Sequence, residues 1–231
     1  MKKLHASILL AVTLLTSPYA WTNSADNAVI LLYHHVSATT PASTSVTPTV
    51  FEQHLQHLAD GYNVIALEQA VEALRAGRLL PERAVVITFD DGYRNIYDNA
   101  HPMLLKYAMP YTVFVNPQLI GKHRHQLNWQ QVAEMEEGGA QFANHTSYHR
   151  HLLERAAGVS AAEWLDGIEQ DIVQANALLD EKLDSNPRYV AYPYGEFNTD
   201  IQDCLLYTSD AADESSRGGG GGGGGAGGGG G

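Results

Sequence analysis

Residues Ala84-Val-Val-Ile-Thr-Phe-Asp90-Asp91-Gly92-Tyr93 carry the argument about the fold. An uncharged run, rich in β-branched side chains, ends abruptly in two carboxylates and a glycine. A run that is apolar nearly throughout, instead of at alternate positions, suits a strand covered on both faces. That is the setting of a parallel sheet packed among helices. Working outward, the same type of run recurs at Ala28–Tyr33, Tyr62–Ile65, Tyr111–Val115, Gln141–Ala143 and Arg188–Tyr192. Helical patterns separate these runs. Thr47-Pro48 reads as an N-cap and first-turn proline for a helix burying Phe51, Leu55 and Leu58, with Gly61 as its stop. Leu67–Ala76, Asn95–Tyr107 and Asn128–Glu137 follow. Ser160 and Glu163 form a capping box for a long helix whose apolar side runs through Trp164, Ile168, Ile172, Ala175, Leu179 and Leu183. Strand and helix alternating about six times argue for an α/β fold with a parallel sheet. An open doubly wound sheet and a closed barrel share this pattern, and periodicity does not separate them.

Both ends of the 231-residue chain differ in character from its middle. Lys2 and Lys3 precede the short apolar run Ile8-Leu-Leu-Ala-Val-Thr-Leu-Leu15, followed by small and polar residues to Ala25. This is the pattern of a secretory signal peptide over 1–25, with cleavage expected after Ala20 or near Ala25. The run falls short of the roughly 20 apolar residues a bilayer span needs. The mature chain is therefore expected to carry no integral span and to be exported to the periplasm, cell envelope or medium. At the other end, Gly218–Gly231 is glycine throughout save Ala226. Such a run has no side chains to bury and much backbone entropy to lose. The stretch before it, Cys204-Leu-Leu-Tyr-Thr-Ser-Asp-Ala-Ala-Asp-Glu214, resembles translated sequencing-adapter read-through. Residues 204–231 are thus read as foreign, 26–203 as one domain, and the natural chain as longer.

Charge and cysteine narrow the function classes. The chain holds 14 Lys+Arg against 26 Asp+Glu, a net −12. Setting aside Lys2, Lys3 and Arg217 on one side and Asp210, Asp213 and Glu214 on the other leaves that balance unchanged. So acidic a domain repels nucleic acid and anionic membrane. The single cysteine, Cys204, supports neither a disulfide framework nor a Cys-based metal site.

In parallel α/β folds, functional side chains lie at the C-terminal ends of strands. Four polar clusters sit there. Adjacent Asp90 and Asp91 repel unless a cation or proton intervenes, so one can bind a metal while the other stays free as a base. An N-cap and an exposed turn acid are the plainer alternative. His145-Thr-Ser-Tyr-His149 follows the strand at Gln141–Ala143. Four-residue spacing on a helical turn would put both imidazoles on one side, as ligation requires, though the chain's 11 histidines leave room for a surface pair. With Asp91 they make an Asp-His-His set that leaves coordination positions open. Tyr192-Pro193-Tyr194-Gly195 is the third cluster, or an ordinary aromatic turn. Tyr33-His34-His35 ends the first strand, where a histidine could protonate a leaving group or simply complete a turn.

In this order, Thr88-Phe-Asp-Asp-Gly-Tyr93, His145-Thr-Ser-Tyr-His149 and Tyr192-Pro-Tyr-Gly195 resemble the motifs of the polysaccharide deacetylase family (NodB-homology domain, carbohydrate esterase family 4). The resemblance covers about 28–200. It implies an irregular (β/α)7 barrel, here truncated at its C-terminal end. It further implies Asp90 as catalytic base, Asp91, His145 and His149 as ligands of a divalent metal, and the Tyr194 N–H, within Pro193-Tyr194-Gly195, as oxyanion donor. Zinc suits two imidazoles and a carboxylate best; cobalt, nickel or iron(II) would also bind. The sequence departs from the family pattern twice. Ala191 stands where the family often has an arginine, and no apolar strand ending in leucine-x-histidine follows the third motif. Ile30-Leu-Leu-Tyr-His34 fits that last pattern at the other end of the chain. In this the chain resembles the circularly permuted members that deacetylate poly-β-1,6-N-acetylglucosamine, which makes His34 the general acid, with His35 its competitor. The implied activity is metal-dependent N-deacetylation of an acetylated polysaccharide. Peptidoglycan, chitin or acetylxylan are alternative substrates of the same centre, and a non-catalytic carbohydrate-binding protein is the reading from another class.

Overall fold

In a computed structural model of the chain, the structure describes residues 24–184 and 189–205. The leader expected over 1–25 lies outside these, except Ser24 and Ala25. The strands are β1 (Ser24–Ala25), β2 (Val29–Tyr33), β3 (His35–Val36), β4 (Ser45–Val46), β5 (Asn63–Val64), β6 (Leu80–Pro81), β7 (Ala84–Phe89), β8 (Thr112–Val115) and β9 (Gln141–Asn144). The helices that matter for the site are α1 (Pro48–Gly61), α2 (Leu67–Arg75), α3 (His101–Lys106), α4 (Trp129–Glu137) and α5 (Ala161–Lys182).

Helix boundaries follow local chemistry. Thr47 Oγ1 accepts the Val50 N–H at 3.2 Å, and Pro48 stands where no helical N–H is needed. The Ser160–Glu163 capping box closes in both directions, at 3.2 and 2.9 Å. Asn128 and Gln131 make a second such box at the start of α4, at 2.9 and 3.1 Å. The helix expected over 95–107 is not uniform: a π-helical turn, Ile96–Ala100, leads into α3. Pro102 has no N–H with which to continue one regular ladder.

β7 is the centre of the main sheet and is buried at every residue. Along one edge it pairs in parallel with β2, from Val29↔Val85 to Tyr33↔Phe89. It also pairs in parallel with β5 at Ala84 and Val85 and with β8 at Thr88 and Phe89. β8 pairs in parallel with β9, and Asn144 of β9 bridges to Val190. Two-residue alternation splits the strands between two cores. Val85, Ile87, Phe89, Val113, Val115 and Phe142 pack with Phe51, Leu55, Leu104 and Met135 from α1, α3 and α4. Ala84, Val86, Phe114 and Ala143 pack with Leu67, Ala70 and Ala73 of α2. Burial on both faces is why β7 reads as a nearly continuous apolar run.

The α/β class and parallel sheet agree with the sequence, but the closed (β/α)7 barrel does not form among the described residues. β2 pairs with β7 alone, and no strand joins it to Val190. Val29, Ile30 and Leu32 consequently stay more than half exposed. β2, β5, β7, β8 and β9 make one open sheet, and β1 with β6 and β3 with β4 make two small separate ones.

Two findings concern the expected chain ends. Ser24 and Ala25 pair antiparallel with Leu80 and Pro81. Cys204 and Leu205 continue a helix over 199–205, and Leu205 packs beside Leu152, Ile168 and Ile201.

Candidate active site

Parallel register brings the polar clusters to one edge of the sheet. Tyr33 lies beside Phe89, so His34 and the Asp90-Asp91 pair leave adjacent strands at the same level. Val115 lies beside Asn144, and Asn144 beside Val190, which brings His145 and the Pro193-Tyr194-Gly195 turn to the same side.

Asp91 stands at the focus. Its backbone takes the left-handed conformation, φ 71°, followed by Gly92 at φ 66°. A side chain at Gly92 would also meet Val115 Cγ1 at 2.9 Å, so glycine is required there. This turn aims the Asp91 carboxylate at two imidazoles: Oδ1 is 3.3 Å from His145 Nε2 and 3.0 Å from His149 Nε2. One ligand atom from each of the three residues lies within 4.8 Å of the others. Exposure rises across the set, from His145 through Asp91 to His149, so the centre opens to solvent on the His149 side.

His145 Nδ1 lies 2.9 Å from the Ala191 carbonyl and must donate to it. The neutral ring then presents a bare Nε2 lone pair towards Asp91 Oδ1. That oxygen is buried and, despite its proximity to both rings, forms no properly directed hydrogen bond among the described residues. Lone pairs converging in a buried space repel unless a positive charge lies among them. Either a shared proton or a cation satisfies that condition, and two imidazoles with one carboxylate fit a borderline divalent metal such as zinc. Burial would raise the Asp91 pKa, but the adjoining His145 and His149 rings outweigh it and hold the carboxyl well below the usual range. Burial alone would lower that of His145, yet Asp91 and Asp90 raise it.

Asp90 differs from its neighbour. It is 7% exposed, and its Oδ1 is buried without a hydrogen-bond partner among the described residues. Burial pushes its pKa up, against the opposing fields of His145 and His34. The two carboxylates are therefore tuned apart, one fixed as an anion and one nearer to accepting a proton.

His34 influences the Asp90 carboxyl electrostatically. His35 is engaged elsewhere: its ring stacks on Tyr93 at 3.8 Å, and its Nδ1 accepts from Asn95 Nδ2 at 2.8 Å. The Asn95 orientation is set by its Oδ1, which accepts the Val36 N–H at 3.0 Å. Tyr194, at φ 58°, sets its ring steeply across that of His149, 73° between planes and 4.5 Å between centroids.

The His145–His149 segment is not the helical turn that its spacing suggested. It is an irregular loop with Thr146 at φ 67° and His149 at φ 55°. Side-chain bonds replace the helix ladder: Asn144 Oδ1 accepts the Thr146 N–H at 2.7 Å, and Thr146 Oγ1 accepts the His149 N–H at 3.1 Å. Asn116 Nδ2 donates to the His145 and Thr146 carbonyls, and Asp171 accepts the Ser147 N–H. Sequence reasoning missed these supports, and also Tyr93, whose hydroxyl feels the Asp91 charge. Burial and that negative charge push the Tyr93 pKa up to about 12. The only signal for Tyr93 was its place beside Asp-Asp-Gly.

Residues 78–208 match the family model described as polysaccharide deacetylase. The chain belongs to the polysaccharide deacetylase family. Among relatives in this family, a poly-beta-1,6-N-acetyl-D-glucosamine N-deacetylase of Staphylococcus epidermidis is 32% identical over 199 residues, covering 76% of this chain and 67% of that protein. YxkH of Bacillus subtilis is 31% identical over 184 residues, 79% of this chain and 62% of that one. A poly-beta-1,6-N-acetyl-D-glucosamine N-deacetylase of Escherichia coli is 29% identical over 187 residues, with 66% of this chain but 28% of that protein covered. The chain thus spans only part of these relatives. Of solved structures, IcaB from Ammonifex degensii superposes with a TM-score of 0.70 at 26% identity, covering 79% of this chain and 81% of that one. The Streptococcus pyogenes deacetylase PplD in complex with acetate gives 0.69 at 27% identity, with 81% of each chain covered.

Proposed function

We propose that this chain is a metal-dependent hydrolase that removes N-acetyl groups from an exported polymer of β-linked N-acetylglucosamine. The carrying observation is the division between adjacent carboxylates: Asp91 converges with two imidazole nitrogens, while Asp90 stays buried, unpaired and raised in pKa. A polysaccharide-binding module has no use for both a ligand set and a free base. The choice of polymer is supported by the relatives named for poly-beta-1,6-N-acetyl-D-glucosamine.

Asp91, His145 and His149 would hold the metal, with zinc favoured by the donor set. When bound, a divalent ion lowers the pKa of water from about 15.7 towards 7 and polarises a carbonyl oxygen. Asp90 takes the proton of the attacking water, a role typically worth about 10²–10⁴-fold. The Tyr194 N–H donates to the oxygen on which negative charge develops. His34 gives a proton to the departing nitrogen, because an amide anion leaves too poorly near neutral pH. Acetate and a free amino sugar are the products. The domain acting in this way is 26–203, delivered by the leader over 1–25. Among the described residues no helix is long and apolar enough to cross a membrane.

Metal content and acetate release test this together. Purified protein should carry about one divalent ion and release acetate from β-1,6-linked N-acetylglucosamine oligomers faster than from chitin oligomers, peptidoglycan or acetylxylan. A metal-loaded protein that binds these glycans and releases no acetate would be a binding protein, and preference for acetylxylan would make it an esterase.

A further inference from the structure

Tyr194 combines two properties that are hard to reconcile in a free surface residue. It is 60% exposed, and it holds a left-handed backbone, followed by Gly195 at φ 67°. Non-glycine residues persist there only where their surroundings enforce it. Enforcement comes from outside the recognised motifs. The His151 ring lies flat on the Tyr194 ring, 3.9 Å between centroids and 8° from parallel. His151 Nδ1 is 2.9 Å from Glu196 Oε1, and Glu196 Oε2 accepts the Leu153 N–H at 3.3 Å. The Glu196 N–H closes the turn on the Pro193 carbonyl at 3.0 Å. The loop carrying His151 is itself anchored: Leu152 is buried against Ile168 and Ile201, and its carbonyl accepts the Trp164 Nε1–H at 3.1 Å.

We infer that His151 and Glu196 are positioning residues that clamp Tyr194 against His149 and so aim the Tyr194 N–H at the reacting oxygen. The inference rests on the hydrolase reading above. The geometry makes a continuous path: α5 anchors Leu152, Leu152 fixes His151, and Glu196 ties His151 to the turn. Between the stack and the His149 edge, the Tyr194 ring has little freedom to swing, and its peptide plane follows it. A solvent-screened pair of this kind contributes little to global stability. Its effect falls on orientation, to which turnover is far more sensitive.

The test uses the full chain with Glu196→Ala, Glu196→Gln, His151→Ala and His151→Phe. Removing a whole oxyanion donor typically costs about 10²–10³-fold in kcat, so loosening one should cost about tenfold. Glu196→Ala and His151→Ala are expected to lower kcat by that factor, with KM, metal affinity and melting temperature unchanged. Glu196→Gln keeps an acceptor for His151, and His151→Phe keeps the stack, so each should recover most of the loss. Affinity for a methylphosphonamidate of the amino sugar, which mimics the tetrahedral state, should fall by the same factor as kcat/KM. A rise in KM alone would make the pair a ground-state sugar contact, loss of metal would make it a support for His149, and unchanged kcat would remove it from the reaction; each overturns the inference. If the parent chain releases no acetate at all, the proposed function fails instead. The clamp is then judged by the ¹⁵N–¹H resonance of Tyr194, which should broaden or shift in Glu196→Ala and overturns the clamp if it does not.

Discussion

Replacing Asp90 by asparagine separates what this carboxyl costs the fold from what it does in catalysis. The side chain ends β7, is almost fully buried, and leaves one oxygen without a partner among the described residues. An unpaired buried polar atom costs about 1–3 kcal/mol, and more when charged. Asparagine keeps the shape and removes the charge. In protein stripped of metal, Asp90→Asn should therefore raise stability at pH 7.5 by about 1 kcal/mol, or about 2–4 °C in melting temperature for a chain of this size. The pH dependence has a definite sign. Burial places the folded pKa of Asp90 above its unfolded value near 3.9. Such a group favours the fold below the unfolded pKa, and that contribution is lost as pH rises through the folded one. The gain from substitution should accordingly shrink as pH is lowered from 7.5 towards 4. Over the same series, kcat should fall about 10²–10⁴-fold, with metal affinity unchanged. Calorimetry of chelator-treated protein at several pH values, with acetate release and metal content from the same samples, checks all of this. A lower melting temperature for the variant at pH 7.5 would show the carboxylate to be structural, and the assignment of Asp90 as base would fail with it.

The ligand set predicts a different outcome. Asp91→Ala, His145→Ala and His149→Ala should each weaken metal binding, measured by competition with a chromophoric chelator, by more than the about 10–100-fold that supporting residues contribute. Parental affinity in all three would remove them from the site. His34→Ala should cut amide hydrolysis about 10²–10⁴-fold, yet leave hydrolysis of an activated aryl acetate, whose leaving group needs no proton, within a few-fold. Equal losses on both substrates would exclude His34 as the acid. Deleting residues 206–231 should leave the melting temperature unchanged. Deleting 204–231 also removes Leu205 from its contacts with Leu152, Ile168 and Ile201, a partial apolar burial of about 1 kcal/mol. Identical melting for the two truncations would show that the packing of Leu205 contributes nothing.

Much was legible in the chain before any coordinates because it depends on neighbours in sequence. The apolar run at Ala84–Phe89, the Thr47 cap and the Ser160–Glu163 box are local, and each element appears where its side chains called for it. Asp90, Asp91, His145 and His149 were legible for a related reason: strand ends in a parallel sheet face one way, so residues just past them converge whatever the helices do. Convergence itself is non-local. Only the register of β2, β7, β8, β9 and Val190 puts Asp91 within reach of both imidazoles. Spacing misled at His145–His149, because Asn116 and Asp171, from two distant parts of the chain, join the adjacent Asn144 in bonding the backbone of that loop and override a helical turn. The surroundings of His35 likewise waited on the fold, since its stacking on Tyr93 and its bond to Asn95 join residues about 60 positions apart in the chain. Whether the sheet closes was never in the periodicity. Closure depends on which edges find a partner, and among the described residues the outer edge of β2 finds none. Sequence settles what can be decided within a few residues of chain, while edge pairing, tautomer and the lone pairs meeting at Asp91 are decided by groups that only tertiary structure brings together.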